Sequence, residues 1–102
     1  MPWFIKTEQF TEKTLELSPQ NRALFLEKHK CWVEKISSMG WRISSGYLVD
    51  KNKVPGGGGV LIVEADSYEA AMKLIQEDPM IIEGLVSWNI QEWIPVSGNL
   101  IN

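Results

Sequence analysis

The chain has 102 residues, of which 44% are hydrophobic and 23% charged, and a formal net charge of −3. That length fits one domain, residues 1–102, with a modest core. The acidic balance, with Arg22 and Arg42 as the only arginines, excludes the basic stripe that nucleic-acid binding needs.

Cys31 is the single cysteine, so neither an intrachain disulfide nor a thiolate metal cluster is expected. No apolar run approaches the roughly 18 residues of a membrane span. The segment from Met1 to Lys6 has no basic region followed by a long apolar core, so no signal peptide is expected. A soluble, cytoplasmic protein follows as the expectation.

The first element in chain order is a strand over about Trp3 to Phe10, rich in aromatic and β-branched residues. Thr11 to Leu17 is polar and either extends it or forms a loop. Ser18-Pro19 is a helix start, with a side-chain oxygen at the cap and proline at the first helical position. The helix is predicted to run to about Met39 and stop at Gly40. Phe25, Trp32, Val33 and Ile36 share one face at helical spacing.

Trp41 to Val49 reads as a strand with Trp41, Ile43, Ser45 and Tyr47 on one side. Asp50 to Gly59 is turn-rich and closes a hairpin, and its four glycines are expected at a flexible tip beside a pocket. Val60 to Ala65 is a nearly continuous apolar run with strong β character. Ser67 caps a second helix whose inner face carries Ala70, Ala71, Leu74 and Ile75, and Asp78-Pro79 is expected to end it. A last strand runs from about Leu85 to Ile94, with Val86, Trp88 and Ile90 on one side.

The order β-α-β-β-α-β is the ferredoxin-like arrangement of the α+β class, a four-stranded antiparallel sheet with both helices on one face. An apolar third strand without alternation calls for burial on both faces. Two helices cover only one, so the other is expected to meet a second copy of the sheet in a face-to-face homodimer.

Several residues then carry a resemblance that spans most of the chain. They are Arg22 and His29 on the first helix, Gly40 after it, Ser45-Gly46 in the second strand and the glycine-rich stretch before Val60. Ser67-Tyr68-Glu69-Ala70-Ala71, Asp78-Pro79 and a last strand ending near Trp93 complete the set. In this order and spacing they resemble the YciI-like (YCII-related) family of dimeric α/β-barrel proteins. The chain departs from the family pattern at Tyr47, where proline is usual, at Met80, where an aromatic often stands, and at Lys30, where an apolar residue is usual. These departures bear on the substrate more than on the fold. The resemblance implies a His29–Asp78 active-site pair beside a ligand pocket. A few members of the family resemble lyases or isomerases of aromatic-ring degradation.

His29 is the chain's only histidine, and it lies on the apolar side of its helix, with Phe25, Val33 and Ile36. Imidazole titrates near neutral pH and can both take and give a proton. A carboxylate on one ring nitrogen fixes the tautomer and leaves the other for substrate, and Asp78 is the candidate carboxylate. The plainer alternative is a packed histidine and a turn-capping aspartate. Arg22 lies seven residues earlier, about two turns or roughly 10 Å along the same face, and is the candidate clamp for an anionic organic ligand. Otherwise it is a surface arginine in an ordinary ion pair.

Ser45, on the inner face of its strand, is the candidate hydroxyl of the pocket. A Ser-His-Asp hydrolase is disfavoured, because no G-x-S-x-G elbow occurs. The glycines at 56–59 precede a strand and lack the lysine of a phosphate loop. A lone histidine and a lone cysteine support neither a metal nor haem, so no cofactor is expected. Trp32, Trp41 and Trp88 are candidates for an aromatic-binding cavity or for core packing. The two functional classes that remain are a lyase or isomerase with a His–Asp pair and a non-catalytic module that binds a small ligand or a partner.

Overall fold

The computed structural model describes residues 1–100. Four strands form one antiparallel sheet: β1 (Trp3–Phe10), β2 (Ile43–Val49), β3 (Pro55–Glu64) and β4 (Val86–Trp93), in the order β2-β3-β1-β4. The long helix α2 (Pro19–Ser38) and the shorter α3 (Tyr68–Ile75) are the two main helices. This is the expected ferredoxin-like α+β arrangement.

The strands alternate cleanly. Phe4, Lys6, Glu8 and Phe10 of β1 point to the helices, and Ile5 pairs in register with Ile62 on the opposite face. The main core lies between helices and sheet. Phe4, Leu61, Val63 and Ile90 from the sheet pack there with Trp32 and Ile36 of α2 and Ala71, Leu74 and Ile75 of α3. A second cluster of Met80, Leu85 and Val86, joined by Phe10 and Phe25, closes the end of the sheet nearest His29.

The helix starts follow the sequence. The Ser18 side chain accepts from the Asn21 N–H, and Ser67 accepts from Ala70. Gly40 takes φ 103° just beyond α2, a left-handed value that a Cβ would strain.

Four expectations are corrected. Thr11 to Leu17 is neither strand nor loop but contains a one-turn helix, α1 (Glu12–Leu15). Its polar groups dock on the chain before β4: the Thr14 hydroxyl and the Thr11 N–H both donate to the Leu85 carbonyl, and Lys13 donates to the Glu83 carbonyl. Second, α3 ends at Ile75, and Asp78 does not merely stop it. Asp78 caps a further one-turn helix, α4 (Pro79–Ile82), and accepts from the Met80 N–H at 3.0 Å. Third, β2 begins at Ile43 rather than Trp41. Fourth, Gly56 to Gly59 are not the hairpin tip. They belong to β3, in which Gly58 and Gly59 pair with β1 and Gly59 pairs with β2, while the tip is Asp50 to Val54, where Asp50 Oδ1 accepts from Asn52 and Val54.

Candidate active site

His29 projects from the middle of α2 toward the inner face of the sheet, and its side chain keeps 15% of its exposure. Asp78 is fully buried. Its carboxylate lies 2.9 Å from His29 Nδ1 through either oxygen. The residues singled out as a pair therefore meet, 49 positions apart in the chain, because α4 packs against α2. The cap that starts α4 also holds Asp78 rigid: one oxygen accepts from the Met80 N–H, and its backbone carbonyl accepts from Ile81 and Ile82.

The other ring nitrogen, Nε2, lies 2.8 Å from Ser45 Oγ. An acceptor-only carboxylate on Nδ1 places the proton there. Nε2 then carries the lone pair, and the Ser45 hydroxyl donates to it.

Behind Asp78 stands a residue that sequence reasoning missed. Lys6 is fully buried in the middle of β1, with its ammonium 3.2 Å from Asp78 Oδ2 and 2.6 Å from Glu8 Oε1. The contacts contribute gross attractions of about 5 kcal/mol to Asp78 and about 6 kcal/mol to Glu8 at an effective dielectric near 20. Burying each ion costs several kcal/mol. One carboxylate would leave Lys6 near break-even, and the second tips the balance. The alternation of β1 puts Lys6 on one face with Phe4 and Glu8, but only the fold shows that this face is the buried one.

Burial pushes the Asp78 pKa up, but the hydrogen bond from His29 and the His29 charge oppose it, with Lys6 and the Met80 N–H adding to them. The net result lies below the ordinary value of 3.8. Asp78 is thus held as a carboxylate, able to orient the imidazole and to stabilise its protonated form.

A cavity of about 550 Å³ opens beside this constellation and is lined by His29, Ser45, Arg22, Glu8 and apolar side chains including Val33 and Met80. Gly57 and Gly59 form part of its wall, so the glycine run does border a pocket, as ordered strand. Arg22 reaches the same cavity. It donates from one terminal nitrogen to the Leu15 carbonyl at 3.2 Å, and its Nε is buried without a hydrogen-bond partner. Of the four residues proposed from the sequence, His29, Arg22 and Ser45 line one space, and Asp78 lies buried behind the His29 ring. The tryptophans do not line that space: Trp32 is buried in the core, and Trp41 and Trp88 pack against it. Among the described residues no group of three or more His, Cys, Asp or Glu side chains could hold a metal. No described helix is long and apolar enough to cross a membrane.

No protein-family model matches this chain, and no curated protein sequence does. Its backbone is similar to those of several solved structures. One is 5-chloro-2-hydroxyhydroquinone dehydrochlorinase from Burkholderia phenoliruptrix in complex with 2,5-dihydroxybenzoquinone. The match covers 90% of this chain and 93% of that one, with a TM-score of 0.67 and 20% identity. An antibiotic biosynthesis monooxygenase matches over 95% of this chain and 100% of its own, with a TM-score of 0.57 and 15% identity. A dimeric ferredoxin-like protein from an uncultured marine organism matches over 97% and 100%, with a TM-score of 0.52 and 16% identity. At these identities the likeness is one of fold, the ferredoxin-like fold.

Proposed function

We propose that this chain is a small homodimeric enzyme of the lyase or isomerase kind, in which His29 is the general acid–base. Asp78 orients it, Ser45 marks the place of the reacting atom, and Arg22 receives an anionic group of a small organic substrate. The observation that carries this reading is the double engagement of His29: a buried carboxylate on Nδ1, and an Nε2 that faces a cavity. A histidine present only for packing has no need of a fully buried, ion-paired carboxylate beside an open space.

The chemistry follows from the tautomer. His29 takes up and gives a proton at Nε2, and Asp78 stabilises the imidazolium form. The imidazolium can pass its proton to a carbon, to an oxygen or to a leaving group, which leaves the neutral ring protonated at Nδ1. The Arg22 Nε, buried without a partner, would be satisfied by a carboxylate or phenolate. The YciI-like pattern of Arg22, His29, Ser45 and Asp78 adds support, as does the lyase with the same fold and its quinone ligand. Cys31, exposed and free of any disulfide, fits a reducing cytoplasm.

The test uses 2,5-dihydroxybenzoquinone as a probe in heavy water, with the protein in catalytic amounts. Exchange of its ring hydrogens adds a deuteron to a ring carbon, with the electron pair supplied by an enolate oxygen, and removal of the proton from that carbon returns the pair to the oxygen. The wild-type protein is expected to speed this exchange. His29→Ala is expected to remove about 10²- to 10⁴-fold of the acceleration while leaving the circular dichroism spectrum intact. Equal acceleration by the variant would overturn the mechanism, and no acceleration by the folded wild type would favour a non-catalytic binding module.

A further inference from the structure

The geometry points to Glu8 as a second proton-transfer group of this site, acting on the same substrate as His29. The inference rests on the acid–base reading of His29 and deepens it. Glu8 lies on the inner face of β1, lines the same cavity, and its side chain retains 12% exposure. It is the acidic end of a continuous charged row: Glu8 Oε1 to Lys6 Nζ at 2.6 Å, Lys6 Nζ to Asp78 Oδ2 at 3.2 Å, Asp78 to His29 Nδ1 at 2.9 Å. Two carboxylates, one ammonium and one imidazolium sum to zero charge. The row is therefore balanced when His29 holds its proton.

Space has been kept for this carboxylate. Glu8 pairs in register with Gly59 of β3. A Cβ at Gly59 would lie 3.3 Å from Glu8 Cγ, 3.4 Å from Cδ and 3.2 Å from the Gly46 carbonyl oxygen. Any side chain at position 59 would crowd the carboxylate against the sheet. Glu8 has two oxygens, and the ion pair with Lys6 engages Oε1, so the carboxylate keeps acceptor capacity.

The division of labour follows from the charges. In the balanced row Glu8 is a carboxylate with no proton to give, and His29 is an imidazolium that has one. Glu8 takes a proton from a C–H bond next to a carbonyl, and the electron pair of that bond moves into a C=C bond. In an elimination the adjacent carbon–leaving-group bond breaks, and the departing group carries off its electron pair and receives the proton from His29 Nε2. In an isomerisation the His29 proton goes instead to a carbon further along the conjugated system. Either way Glu8 ends protonated and His29 neutral. Glu8 then releases its proton to water and His29 regains one, with no other reactant.

The test is Glu8→Gln, which keeps an oxygen for Lys6 and removes the base. Two readouts are taken together: deuterium exchange into 2,5-dihydroxybenzoquinone, and the shift of the His29 ring signal in NMR as that probe binds. We expect exchange to fall about 10²-fold with the binding shift retained. Should Glu8→Gln fail to fold, Glu8→Asp decides instead: it keeps the charge but withdraws the carboxylate by one methylene, and exchange should again fall with binding retained. Exchange at the wild-type rate in a folded variant would overturn the role of Glu8 while leaving His29 untouched. No exchange by the wild type would overturn the reading of His29 on which this one rests.

Discussion

At the scale of single residues, Asp78 carries the most demanding position in the molecule. It is buried and caps α4, and it accepts from both His29 and Lys6. Its carboxyl has a folded pKa below the ordinary value of 3.8. Stability from the ionised form is therefore fully present above about pH 4 and is lost as pH falls through the folded pKa. Asp78→Asn is expected to lower unfolding free energy at pH 7 by about 3–5 kcal/mol, since it leaves Lys6 and His29 short of a buried partner. The deficit should narrow at pH 3 and below, because the unfolded wild type then carries a proton that its carboxyl must give up on folding. Urea unfolding at both pH values checks this, and an equal deficit at both would mean that the carboxylate charge is not its source. The pairing of His29 with Asp78 was expected from the family resemblance, whereas the residues alone left a packed histidine and a turn-capping aspartate as the plainer alternative. Lys6 and Glu8 were not legible in the sequence, because a strand of eight residues tolerates a charge at either face and only the fold says which face is buried.

At the scale of elements, the long amphipathic pieces were readable and the one-turn pieces were not. α2 carries its own cap and its own glycine stop, and its apolar residues at helical spacing include Trp32 and Ile36, which it buries. α1 and α4 have four residues each, far below the length at which a helix forms on its own propensity. Docking makes them: α1 through Thr11, Lys13 and Thr14 on the chain before β4, α4 through Asp78. The glycine run was misread for a related reason. Four glycines have weak strand propensity, and β3 extends through them because β1 and β2 supply partners on both sides. Their substitutions should therefore differ. Gly59→Ala brings a Cβ to 3.2 Å from the Gly46 carbonyl oxygen and should cost about 1–3 kcal/mol by overpacking. A Cβ at Gly56 meets nothing within 4 Å, so Gly56→Ala should be neutral or slightly stabilising. Thermal melts of the two variants give the comparison, and equal effects would contradict the strand register.

For the whole molecule, the layer arrangement came through from the order of elements, and the apolar run of β3 gave the first hint of a second interface. Leu61 and Val63 fill the core, whereas Val60 and Ile62 lie on the other face beside Ile5 and remain only half-buried. That face is where we place the homodimer contact. The chain is expected to run in light scattering at twice its 11.6 kDa. Ile62→Lys, a charge in the middle of that face, should shift it to the monomer with the inner core unchanged. A wild-type monomer at micromolar concentration would overturn the proposed assembly.

The reading of His29 as acid–base depends on one proton, and one measurement finds it. His29 is the only histidine in the chain, so its ring nitrogens give a single, unambiguous pair of ¹⁵N NMR signals. In the neutral ring the proton is expected on Nδ1, donated to Asp78, with Nε2 unprotonated toward Ser45 and the cavity. Asp78→Asn should weaken that preference. A neutral ring protonated at Nε2 in the wild-type protein would leave no lone pair facing the cavity and would contradict the central claim.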